Sequence, residues 1–99
     1  MTSDPHADLR DRVYRTVFDG PGRTDSALRH GVAANAAVPA ELAALIEKIH
    51  RHAYKVTDED LARLRGSHGD DELFEIVVSA ALGASRNRLA AGLAALEDA

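Results

Sequence analysis

The sequence predicts an all-α fold, a single helical domain of about five helices. Three observations carry that prediction. Nineteen of the 99 residues are alanine, the strongest helix former. Apolar residues recur at i, i+3, i+4 and i+7 over most of the chain. The three prolines, at positions 5, 21 and 39, fall where helices should begin or end.

Composition narrows the functional classes. A hydrophobic share of 45% with 28% charged residues is too apolar for a disordered chain. The net charge of −4 supplies no basic footprint, so neither nucleic acid nor an acidic membrane surface is expected as a partner. With no cysteine, thiolate zinc sites, iron–sulfur clusters and cysteine nucleophiles are excluded, and no cofactor is expected. The start, Met1 to His6, is polar and lacks the pattern of a signal peptide. The longest apolar run, Leu73 to Ala84, is interrupted by Glu75, Ser79 and Gly83 and falls short of the ~20 residues a membrane span needs. A cytoplasmic location is the expectation.

Residues 1–7 read as a flexible lead. Asp8 to Phe18 reads as a first helix, with Leu9, Val13 and Val17 on one face and Tyr14 and Phe18 widening it. Gly20-Pro21-Gly22 stops it. Thr24 or Asp25 can cap a second helix carrying Ala27, Leu28 and Val32 on one stripe, with His30 as a cation near its C-terminus. A third helix runs from about Pro39 to Tyr54. Leu42, Leu45, Ile46, Ile49 and Ala53 form its inner face, and Glu41, Glu47, Lys48 and Arg51 take the other side. Thr57 reads as an N-cap whose oxygen accepts from the Asp60 amide, ahead of a short fourth helix carrying Leu61 and Leu64 inward.

Asp70, Asp71 and Glu72 place negative charge at the start of the last helix, where the helix dipole favours it. From Leu73 to Ala84, nine of twelve residues are apolar and cover the whole circumference. A helix apolar all round must be buried all round. In so short a chain the second covering surface is expected from another subunit, so the helix from Asp70 to Leu96 is expected to drive homo-oligomerisation. Gly83-Ala84-Ser85 permits a bend or a close helix contact.

One stretch carries a family pattern. It begins with an apolar helix at Glu41-Leu42 and continues through the capped turn Val56-Thr57-Asp58-Glu59-Asp60. A short helix and a glycine turn follow, then Asp70-Asp71-Glu72-Leu73-Phe74-Glu75-Ile76-Val77-Val78 and Ala80-Ala81-Leu82-Gly83-Ala84. In this it resembles the carboxymuconolactone decarboxylase and alkylhydroperoxidase (AhpD-like) superfamily, over a core of residues 39–97. The resemblance implies a small all-α subunit that assembles into trimers or hexamers through the long helix. The family's peroxidases carry a glutamate, a Cys-x-x-Cys and a histidine. Registered on Glu41, the cysteine positions fall at Ala53 and Val56 and the histidine position at Asp60. Alanine and valine can neither attack a peroxide nor resolve a sulfenic acid.

Two functional expectations follow. The first is an AhpD-like subunit without thiol chemistry, acting as a binding or structural protein. The alternative is a cysteine-free decarboxylase- or isomerase-type enzyme on a small organic acid, using Glu41, His50 or His52, and Tyr54 around a small pocket. An accessory subunit whose protein partner supplies the missing chemistry is a third. Glu47 and His50 stand at i, i+3, the spacing of the Glu-x-x-His used in di-iron bundles, but the chain has one such motif and a metal site needs more. His50 and His52 point about 200° apart on a helix and cannot share a metal. Ser26, Ser67, Ser79 and Ser85 lie on separate elements, and no catalytic triad can be assembled from them. Arg86 and Arg88 are basic residues suited to an anion or to acids across a subunit boundary.

Overall fold

The computed structural model describes residues 6–98. Residues 1–5, most of the expected flexible lead, lie outside the described residues, and Ala7 already belongs to a helix. Among the described residues there are five α-helices and no strand. They are α1 (Ala7–Asp19), α2 (Ser26–Ala34), α3 (Ala43–His52), α4 (Asp58–Ala62) and α5 (Asp70–Glu97). Two 3-10 turns, Ala40–Leu42 and Ala53–Lys55, flank α3, so the third element is shorter as a true α-helix than its periodicity predicts. Pro39 stands just before the first turn, and its carbonyl accepts from the Leu42 amide.

The core is a single cluster. Val32 of α2, Leu42, Leu45, Ile46 and Ile49 around α3, Leu64 after α4, and Leu73, Ile76 and Ala80 of α5 pack together. Four of the five positions predicted for the inner face of the third helix are therefore buried. The fifth, Ala53, is exposed, because the chain leaves α-helical geometry there.

Helix α1 is rotated from the sequence prediction, whereas α2 keeps two of its three predicted inward residues, Leu28 and Val32. In α1 the residues facing inward are Tyr14, Val17 and Phe18, whereas Leu9 and Val13 are exposed, Leu9 by 57%. Aromatic packing sets this orientation. Tyr14 and Phe18 stack with centroids 6.1 Å apart, and the Arg86 guanidinium sits 4.9 Å from the Phe18 centroid. A cation over an aromatic face is attracted by the ring quadrupole. In α2, Arg29, Val32 and Ala33 are buried while Ala27 is exposed. Neither predicted cap acts through its side chain toward the helix. Thr24 instead gives its amide and hydroxyl to Glu75 Oε1, at 2.9 and 2.7 Å. The Arg23 amide gives to Glu75 Oε2 at 2.7 Å, so Glu75 anchors the loop before α2.

Helix α5 is 28 residues long and unbroken through Gly83. Gly83 serves close contact, not a bend. A Cβ there would sit on the Ala33 carbonyl oxygen and within 2.5 Å of Ala33 Cα, so the two backbones meet where a side chain would stand. Only one face of α5 is buried: Leu73, Ile76, Ser79, Ala80, Gly83 and Ala84. Within this chain Phe74 is 70% exposed, and Val77, Val78 and Leu82 are half-buried. Beyond Arg86 every described residue is exposed, and α5 leaves the body as an arm.

Gly83→Ala tests the α2–α5 contact. In an open helix that change stabilises by about 1 kcal/mol. Here the overlap with Ala33 should reverse the sign and cost about 2–3 kcal/mol, in the range of an overpacked core. Urea unfolding reads the difference directly.

Candidate functional site

The side chains singled out in the sequence lie on three separate parts of the surface. His50 projects from α3 into the seam with α2, where its Nε2–H donates to the Val32 carbonyl at 2.7 Å. A carbonyl only accepts, so this bond assigns the ring proton to Nε2. The His50 carbonyl in turn accepts from Arg88 of α5 at 2.7 Å. His50 thus ties α2, α3 and α5 together. Glu47, three residues earlier, turns away from it. Glu47 pairs with Arg51 one turn on and accepts from the Asn35 side-chain Nδ2 at 2.9 Å. The Asn35 hydrogen bond is the leading reason its carboxyl titrates below the usual range. Among the described residues no group of three His, Cys, Asp or Glu could hold a metal.

His52 is the last residue of α3, and Tyr54 lies in the 3-10 turn that follows. Their rings meet edge to face at 6.0 Å, and Tyr54 is 81% exposed. Neither lines a groove with Glu41. The turn that should hold Ala53 and Tyr54 around a cavity instead carries both side chains into solvent.

Glu41 finds different neighbours. Its Oε1 lies 3.7 Å from His68 Nε2, and Glu72 Oε2 lies 3.5 Å from His68 Nδ1. The largely buried imidazole of His68 therefore stands between two carboxylates. Glu41 and Asp60 also share a shallow groove of about 90 Å³ with Arg63 and Leu64. Glu41 and Asp60, from different elements, are thus neighbours in space.

Asp60 is chemically committed. Both carboxylate oxygens accept from Lys48 Nζ at 2.9 Å, and Oδ1 accepts from Arg63 at 3.0 Å. Asp60 Oδ2 also accepts from the Thr57 amide at 2.9 Å, while the Asp60 amide donates to Thr57 Oγ1 at 3.3 Å. The result is a reciprocal capping box in which aspartate takes the usual glutamate place. The Lys48 ammonium, followed by the Thr57 amide, pulls the Asp60 carboxyl down to about 2. A carboxylate held so far down is a poor proton acceptor near neutrality.

Two of these neighbours escape sequence reasoning. His68 and Glu72 stand at i, i+4 across the start of α5, which is a usable signal. Lys48 and Asp60 are twelve residues apart on different helices, and no local spacing announces their pairing. Elsewhere, Arg29 is buried and donates to the Val17 carbonyl at 2.9 Å, while its Nε has no hydrogen-bond partner. His30 pairs with Asp19 at 2.7 Å, not with the end of its own helix. No family model, curated protein or solved structure matches the chain.

The depressed titration of Asp60 makes stability depend on pH in a stated direction. Its folded value, about 2, lies below the ordinary 3.8. Its contribution is therefore complete above about pH 4 and lost as pH falls toward 2. Asp60→Asn should be less stable than the parent at pH 7, with the gap closing across that window. Urea midpoints at pH 7, 4 and 2.5 measure it.

Proposed function

We propose that this chain is a cysteine-free member of the carboxymuconolactone decarboxylase and alkylhydroperoxidase superfamily, working as an oligomeric binding or structural subunit. The observation that carries this reading is the uncovered apolar face of α5. Phe74, Val78, Leu82, Leu89, Leu93 and Leu96 follow one side of the helix, and four of them are strongly exposed. The chain exposes 6812 Å², more than the about 5,500 Å² expected of a compact monomer of its mass, as a helix that leaves the body requires.

The commitments of the polar residues support a subunit without catalysis. His50 and Asp60 are spent on holding helices together, and alanine and valine stand at the family's thiol positions. Among the described residues no helix is long and apolar enough to cross a membrane, which fits a role in the cytoplasm. A second reading, the cysteine-free decarboxylase- or isomerase-type enzyme on a small organic acid, is favoured by one observation: His68 lies between Glu41 and Glu72, an arrangement that can accept or deliver a proton.

Native mass spectrometry of freshly purified protein decides between them. A discrete oligomer without a bound small molecule is the expected result. A stoichiometric organic adduct would overturn the non-catalytic reading in favour of the second. A monomer at micromolar concentration would overturn the assembly itself.

A further inference from the structure

Resting on that assembly reading, we infer that the occupant of the α5 face is a second copy of this chain, packed antiparallel about a two-fold axis near Gly83. Three features of the helix lead there. First, the arm cannot stand alone. It is about ten residues of exposed helix with Gly92 in the middle. Isolated helices of that length are marginal in water, and an interior glycine costs about a further 1 kcal/mol. A helix built this way is stabilised by packing.

Second, the arm carries a hole and the body carries a knob. Leu89, Gly92, Leu93 and Leu96 are spaced i, i+3, i+4, i+7, the four positions that frame a hole on a helix surface. Glycine leaves the floor empty, and a Cβ at Gly92 would meet nothing within 4 Å. Phe74 is the largest exposed apolar side chain on the body part of the same stripe.

Third, the pairings share one midpoint. In an antiparallel pair, seating Phe74 over Gly92 of the partner centres the axis on residue 83. The same axis sets Val77 opposite Leu89, and Ala81 opposite Ser85. Ala81 and Ser85 are both exposed and small, so the helices can approach to about 8 Å at the centre. Self-complementarity of one patch is what an isologous dimer requires, and an unrelated partner would have no reason to match it. Each arm then lies along the body of the other copy, and both Phe74 knobs are filled at once. Such a contact builds a dimer, or a hexamer of three dimers, and not a bare trimer.

The absence of cysteine makes the test direct. In Ala81→Cys/Ser85→Cys the introduced thiols are the only ones present. Mild oxidation should join position 81 of one copy to position 85 of the other, as mapped by peptide mass spectrometry without reduction. Bonds joining 81 to 81 and 85 to 85 would show parallel packing and overturn the proposal. An oligomer that yields no inter-chain disulfide would overturn it too, while leaving the assembly reading intact. Gly92→Leu gives an independent readout, because its position touches nothing within the subunit and the change is expected to leave the fold intact, as circular dichroism checks. Filling the hole should weaken dimerisation at least tenfold by sedimentation equilibrium. A dimer as tight as the parent, or tighter, would overturn the proposal, since an added leucine strengthens any contact that merely uses the stripe. A parent chain already monomeric by mass would refute the underlying assembly reading before any variant is made.

Discussion

The seating of α2 on α5 at Gly83 governs the arrangement of the molecule. Because Gly83 has no side chain, the Ala33 backbone rests directly on the longer helix. That close approach carries Val32 into the core beside Ile76 and Ala80. It also presents the Val32 carbonyl to His50, which brings α3 into the same seam. With α2 held there, the loop before it reaches Glu75, one turn from the start of α5, and its backbone amides find an acceptor.

Ionisable side chains do much of the remaining fastening. Glu75 accepts the Arg23 amide, then the Thr24 hydroxyl and amide, and these donors hold its carboxyl below the ordinary range. Asp60 fastens α4 to α3 through Lys48 and caps α4 in the same stroke. Hydrogen bonds to a carboxylate stabilise its charged form, so each anchor weakens on acidification. His50, donating to a backbone carbonyl, and Asp60, shared by a lysine, an arginine and a capping box, fasten helices in the same way. The apolar supply is distributed unevenly by comparison: one face of α5 fills the core, and the opposite face, half-buried at Val78 and Leu82, leaves Phe74, Leu89, Leu93 and Leu96 exposed.

Much of the candidate site was out of reach of local patterns. Glu41 is legible as a first-turn acid, but its neighbour His68 arrives from a turn 27 residues later. His50 reads as a polar-face residue because its i, i+3 partner Glu47 is beside it in the chain; its actual partner is a carbonyl eighteen residues earlier. Tyr54 reads as a candidate lining residue, yet the 3-10 turn after α3 rotates it outward to 81% exposure. Each difference has the same origin: a long-range hydrogen bond or a change of helical pitch overrides the 3.6-residue period on which a face assignment depends.

Helix number and order, the inner face of the third element, the Thr57 cap and the length of the final helix follow from propensity, spacing and capping chemistry, which act within about one turn of the chain. The sequence alone therefore determined which segments are helices and that the last one carries more apolar surface than a small domain can hide. Only the tertiary structure decided which side of that helix faces the core. A helix apolar all round has no preferred face of its own, and the choice fell to one glycine, where two backbones can meet. The rotation of α1, the loop anchored on Glu75 and the exposure of Phe74 all belong to that same decision, because each depends on what α5 has turned toward its own chain.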